Sequence, residues 1–263
     1  MDLSTQAELR ATAHRLAEAA RTETLRHFRA RDLQTESKAA DFDPVTEADR
    51  GAERAMRALL ADYRPDDGIL GEEYGSAEGR SGLTWVLDPV DGTRGFVSGT
   101  PTWGVLISIH NGTRPIYGLI DQPYIGERFE GGFGVAQVEG PMGVAPLETT
   151  ATTSLMDATL LTTFPEIGSP EEHTAFRRVA DKVRLVRYGL DCYGYALLAA
   201  GQVDLVIEAG LAAYDIQAPI AVIEAAGGVV TNWEGGSVAA GGRALAAANP
   251  AIHAKALELL QSA

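Results

Sequence analysis

Trp85-Val86-Leu87-Asp88-Pro89-Val90-Asp91-Gly92-Thr93 carries an apolar strand into two acids, a glycine and a hydroxyl. Pro89 biases Asp88 toward an extended backbone, and Gly92 permits a tight turn after it. Asp88, the Val90 carbonyl and Asp91 can then converge on one hard cation. Thr93 falls where a helix can begin, and backbone N–H groups at a helix start favour an anion. The stretch reads as a meeting place for a divalent ion and a phosphate rather than as a bare Asp-Gly turn.

Other acids stand at the edges of apolar elements. Gly71-Glu72-Glu73 follows Gly68-Ile69-Leu70, which reads as a buried strand end, and Tyr214-Asp215-Ile216 opens a helical pattern. With Asp88 and Asp91 they form an oxygen-only donor set, which suits magnesium or manganese rather than zinc. His14, His27, His110, His173 and His253 lack the close pairing of a zinc helix and read as ordinary residues. Trp85, Trp103 and Trp233 read as core.

Composition narrows the class. At 263 residues and 45% hydrophobic, the chain can bury a substantial core. A formal charge of −14 with no basic run argues against nucleic-acid or anionic-membrane partners. The single cysteine, Cys192, excludes an intrachain disulfide and is expected to be a small packed thiol. Without a signal-type apolar segment or an eighteen-residue apolar run, the protein is expected to be cytoplasmic.

Apolar periodicity predicts two amphipathic helices, over about 5–30 and 52–63, then strands at 69–70, 84–87, 103–110, 116–120 and 128–134. From about residue 146 helices (171–182, 193–200, 215–226, 250–260) alternate with strands (184–187, 203–207, 229–231, 244–247), and Gly227-Gly228 stops one helix. The expected organisation is an α+β domain over 1–145 with most candidate metal ligands, and an α/β domain over 146–263 with the last ligand and the substrate-selective residues.

The chain resembles the inositol-monophosphatase-like phosphatases in Asp43-Pro44-Val45-Thr46-Glu47-Ala48-Asp49, in Gly71-Glu72-Glu73, in residues 85–96, in Tyr214-Asp215 and in Glu224-Ala225-Ala226-Gly227-Gly228. The resemblance implies a layered αβαβα sandwich with its site between the two halves. It implies that Glu72, Asp88, the Val90 carbonyl, Asp91 and Asp215 hold two or three Mg2+ ions, with Mn2+ as a substitute. It further implies that Asp49 and Thr93 orient an attacking water, that Lys38 lies on a flap, and that the protein is a homodimer.

Within that family the chain is most similar to the histidinol-phosphate phosphatases. This rests on residues 93–104, on Asp121-Gln122-Pro123 with Glu127-Arg128-Phe129, and on Arg187-Tyr188-Gly189-Leu190-Asp191-Cys192-Tyr193. The implied substrate contacts are Gly92, Thr93, Arg94, Arg187, Gly189, Asp191, Glu208 and Asp215. Chemistry points the same way: histidinol phosphate carries an ammonium and an imidazole, which acids recognise, whereas inositol offers only hydroxyls. Leu190 stands where that group has a small residue, and a side chain of its bulk can reshape the pocket, which leaves the exact substrate open. The implied reaction is magnesium-dependent hydrolysis of a phosphate monoester. Inositol-1-monophosphatase, 3′(2′),5′-bisphosphate nucleotidase and a catalytically silent binding homologue remain alternatives, and the complete acid set argues against the last.

Overall fold

Asp2 starts helix α1 (Leu3–His27) by accepting the Thr5 N–H at 2.8 Å, and Leu9, Ala13, Leu16, Ala17 and Ala20 then form one fully buried stripe. The computed structural model describes residues 1–31, 35–37 and 44–262; Lys38 and Asp43 lie outside the described residues. Two short antiparallel strands, β1 (Thr35–Ser37) and β2 (Pro44–Thr46), precede α2 (Glu47–Tyr63). A capping box opens α2: Asp49 accepts from the Thr46 backbone N–H at 2.8 Å and from its hydroxyl at 2.6 Å.

Strands β3 (Gly68–Gly71), β4 (Gly75–Ala77) and β5 (Thr84–Asp91) follow, then the short helix α3 (Thr93–Ser98). Next come β6 (Gly104–His110), β7 (Pro115–Gln122), β8 (Glu127–Gly132), β9 (Val135–Gly140) and β10 (Gly143–Pro146). These make an eight-stranded sheet in the order β10-β9-β8-β7-β6-β5-β3-β4, antiparallel except where β3 meets β5.

The second sheet takes all its strands from later in the chain. Its elements are β11 (Thr159–Thr162), α4 (Pro170–Ala180), β12 (Leu185–Tyr188), α5 (Asp191–Ala199), β13 (Leu205–Leu211), α6 (Ala213–Ala225), β14 (Val229–Asn232), β15 (Gly242–Ala247) and α7 (Pro250–Gln261). The strand order is β12-β11-β13-β15-β14, with β11 parallel to both neighbours.

Alternation along the strands sorts side chains into separate cores. Val105, Ile107 and Ile109 of β6 pack with α1 and α2, while Leu106 faces α5 and α6. In the second sheet Leu205 and Ile207 join Phe176 of α4 and Ile252 of α7, while Val206 joins the α5–α6 side. The result is five layers: α1 and α2, the large sheet, α5 and α6, the small sheet, α4 and α7. This is the expected αβαβα sandwich of mixed α/β class. The middle layer lies close on the large sheet because two glycines make room. A Cβ on Gly118 would stand 2.3 Å from the Ala218 carbonyl oxygen, and one on Gly131 would stand 2.5 Å from the Val222 Cα. Trp85, Trp103 and Trp233 are core, and Cys192 is buried, as the sequence predicts. No helix among the described residues is long and apolar enough to cross a membrane.

Candidate active site

Pro89 has no N–H to donate, and the β5–β6 ladder slips there: Asp88 pairs with Leu106 but Asp91 with Gly104. Residues three apart on an unbroken strand face opposite ways, and one bulged residue returns them to the same side. The Val90 N–H donates to Asp88 Oδ1 at 3.0 Å and stiffens the bulge. Oxygens of Asp88, Asp91 and Asp215 consequently lie within 4.8 Å of one another. Each of these carboxylates has one oxygen anchored by a backbone N–H. For Asp91 the donor is Cys192, at 2.6 Å, and for Asp215 it is Ala212, at 2.7 Å.

Glu72 joins them from the turn after β3, its N–H donating to the Leu87 carbonyl at 3.2 Å and its side chain lining the same chamber as Asp88. That turn is held by a residue the sequence reading passed over. Glu53 of α2, fully buried and paired with Arg57 at 2.7 Å, accepts the N–H groups of Glu73 at 2.7 Å and Tyr74 at 3.2 Å. Gly71 has to lack a side chain, since a Cβ there would overlap the Glu53 carboxyl at 2.0 Å. A glutamate on the inward face of an amphipathic helix was the available signal for Glu53.

Thr93 opens α3 and places its hydroxyl 3.0 Å from the Val90 carbonyl and 3.4 Å from Asp49 Oδ1. Because Asp49 Oδ2 is engaged by Thr46, Oδ1 is the oxygen turned to Thr93. Burial, opposed by Thr46, brings the Asp49 carboxyl up to about 6.

Two adjoining chambers share Asp91, Phe164, Asp191 and Asp215. The outer one, about 220 Å³, adds Glu72, Asp88, Val90, Gly92, Thr93 and Arg94. The inner one, about 180 Å³, is closed by Thr163, Tyr195, Glu208 and their neighbours. Larger surface clefts of about 400 and 470 Å³ lie elsewhere and contain none of these acids, so chemistry rather than size selects the site.

Crowding dominates the electrostatics of the outer chamber. Burial first, and then the charges of Glu72, Asp91 and Asp215, push the Asp88 carboxyl well up; burial with Asp191 and Asp215 does the same to Asp91. The outer wall offers carboxylates, a carbonyl and a hydroxyl, with no thiol or imidazole. Such a donor set, whose negative charges oppose one another until a cation is added, fits a hard divalent ion.

The chain reaches Asp191 in a left-handed conformation, φ 46°, unusual for a residue other than glycine. α5 has no side-chain cap, and the Cys192 N–H in its first turn goes to Asp91. The Asp191 carboxyl lies against Gly92, where a Cβ would meet it at 2.8 Å. Burial, opposed by Arg94, raises this carboxyl to about 6. Glu208 is fixed by Thr163, whose N–H and hydroxyl donate to Oε1 at 2.7 and 3.0 Å, and burial lifts it to about 7. Phe164 at the mouth carries the Arg94 guanidinium 5.0 Å above its ring.

The structure thus gathers Glu72, Asp88, Val90, Asp91, Gly92, Thr93, Arg94, Asp191, Glu208 and Asp215 around the chambers, with Asp49 behind Thr93. Arg187 and Gly189 line neither. Arg187 is exposed on edge strand β12, and the Gly189 N–H is spent on the Thr162 and Thr163 carbonyls. Leu190 is absent from both linings and packs against the central core. Of the segments that carry the subgroup resemblance, Thr93, Arg94, Asp191 and Cys192 reach the chambers, while other residues named for it make structural contacts. Tyr193 donates to Glu127 at 2.6 Å and meets Phe129 edge-on, while Asp121 binds Arg21 and Arg128.

Residues 5–263 match the model of the inositol monophosphatase family. A bifunctional phosphatase, IMPL2, of Arabidopsis thaliana is 42% identical over 84% of this chain, which spans 66% of that relative's length. A histidinol-phosphatase of Chlorobaculum parvum is 34% identical over 90% of each chain. An inositol monophosphatase from Zymomonas mobilis superposes with a TM-score of 0.86 and 36% identity over the whole of both chains. With the acid cluster and the five-layer sandwich already described, these likenesses show that the chain belongs to the inositol monophosphatase family and is a phosphatase.

Proposed function

We propose that this phosphatase is a magnesium-dependent histidinol-phosphate phosphatase. The observation that carries the reading is the inner chamber, where Asp191 and Glu208 set two fixed carboxylates beside the acid cluster. An ammonium and a nitrogen heterocycle find partners there that an uncharged polyol does not require. The histidinol-phosphatase name of the Chlorobaculum relative supports the same substrate.

In this reading Glu72, Asp88, the Val90 carbonyl, Asp91 and Asp215 hold the magnesium, for which manganese can substitute. When bound, such ions supply water activation and neutralisation of phosphoryl charge. Thr93 and Asp49 hold the attacking water in line, with Asp49 Oδ1 as the acceptor behind the Thr93 hydroxyl. Arg94 binds the phosphate beside Gly92. Asp191 and Glu208 hold the leaving alcohol and keep it oriented away from the water.

The direct test is phosphate release from histidinol phosphate, inositol 1-phosphate and 3′-phosphoadenosine 5′-phosphate, each with magnesium and with chelator. The expected result is a magnesium-dependent rate that strongly favours histidinol phosphate. Preference for inositol 1-phosphate would move the substrate to the one named for the Zymomonas inositol monophosphatase, and absence of turnover on all three would remove the reading.

Asp191→Asn sharpens it. Asn tolerates the left-handed backbone, so geometry is kept while charge is lost. The kcat/KM for histidinol phosphate should fall roughly 10- to 100-fold, on the scale of one charge-assisted hydrogen bond, with little change for β-glycerol phosphate. Equal losses on both substrates would show that Asp191 acts on the metal and phosphate side instead.

A further inference from the structure

The Tyr195 hydroxyl is buried without a hydrogen-bond partner, although Tyr195 itself is 3% exposed and lines the inner chamber. Buried hydroxyls are normally paired, because an orphan donor loses its water partners and gains nothing. Neighbouring acids do not satisfy this one, although burial first, and then the charges of Glu208, Asp91 and Asp215, push the phenol well up. Among the other described polar side chains of that chamber, Thr163 already donates to Glu208, Cys192 offers only a weakly donating thiol, and the remainder are carboxylates.

The chamber's described side chains therefore present several acceptors and one unspent hydroxyl donor. A ligand that fills it must bring hydrogen-bond donors for the carboxylates and one acceptor for the phenol. An ammonium has donors only, and so has a protonated imidazolium. A neutral imidazole has one N–H and one bare ring nitrogen, and so meets both demands at once.

We propose that Tyr195 is a specificity residue that donates its hydroxyl hydrogen to the bare ring nitrogen of the substrate, which binds with its imidazole uncharged. This rests on the histidinol-phosphate reading and adds to it the ring's protonation state and a recognition residue. The substrate's ammonium is then left to Asp191 and Glu208. Replacing the hydroxyl removes the acceptor's only partner while leaving the ring of Tyr195 in the core beside Ala196 and Ile216.

The test is Tyr195→Phe, assayed on histidinol phosphate and on β-glycerol phosphate, with melting measured in the absence of substrate. The expected result is a rise in KM for histidinol phosphate of roughly 10- to 100-fold at nearly constant kcat, with β-glycerol phosphate turnover unchanged. Melting should be level with the wild type or higher, since an unpaired buried hydroxyl has gone. An unchanged KM, equal losses on both substrates, or a lower melting temperature would each overturn the proposal, the last because it would reveal a protein partner for the hydroxyl. A wild type that shows no preference for histidinol phosphate removes the substrate reading, and this one with it. A selective wild type with an indifferent variant removes the Tyr195 proposal alone.

Discussion

Asp91→Asn is expected to lower metal-dependent phosphate release about 1000-fold or more while leaving the fold intact. A cation at this site supplies several kcal/mol of transition-state charge stabilisation, and about 4 kcal/mol corresponds to three orders of magnitude in rate. The amide keeps an oxygen for the Cys192 N–H that Asp91 now accepts at 2.6 Å, so the start of α5 keeps its anchor. It also relieves the crowding. An acid whose carboxyl is pushed up in the folded state opposes folding at pH values above its ordinary range, and Asp91 is raised by burial, Asp191 and Asp215. In chelator at pH 7 the variant should melt level with or above the wild type. Turnover within tenfold of wild type would remove Asp91 from the ion site, and a lowered melt in chelator would assign the residue to packing.

Glu130→Ala should give the largest loss of stability, about 3–5 kcal/mol, because it strands buried partners. Glu130 is 2% exposed and joins α1 to the large sheet. Arg10 reaches it at 2.5 and 2.7 Å, Tyr117 at 2.7 Å, Gln137 at 2.9 Å and His14 at 3.1 Å. Burial alone would raise its carboxyl, but the bonds from Arg10, His14 and Tyr117 outweigh burial and hold it well below the ordinary carboxylate range. The sign follows: a depressed folded-state value contributes stability that is complete above the ordinary 4.5 and drains away as pH falls below it. Urea unfolding of wild type and variant at pH 7 and in acid should therefore show a gap that narrows with acidification. A gap that stays constant or widens would mean that packing, not charge, sets the effect.

Much of this molecule was legible in its sequence where one physical signal dominated. Residues 84–91 combine an apolar run, a proline without a donor and two acids, and each constraint acts locally. The buried stripes of α1, α2 and α7 repeat at helical spacing and were read to within a few residues at most ends. Strands β4 and β10 were not legible, because both are wholly exposed and carry no alternation of apolar residues. Strand β11 was missed for the opposite reason: all of Thr159–Thr162 is buried, so both faces look alike and four residues set no period.

The site divides in the same way. Acids at element ends announced themselves, whereas Glu53, Phe164 and Tyr195 reach their places only through tertiary packing. The effect of Leu190 was not legible, because its position in a motif does not say which way its side chain turns; one residue before the left-handed Asp191, it packs against the core.

The bulge at Pro89 also gives this stretch of chain a reading frame. Substitutions along β5 change one side chain each, but an insertion or deletion between Asp88 and Asp91 reverses the parity of the strand and sends one of the two acids to the far face of the sheet. Length, and not only composition, is therefore under constraint over these four positions, and tolerance for indels must begin beyond them, in turns such as the exposed one at Gly112 where nothing stands within 4 Å of an added Cβ.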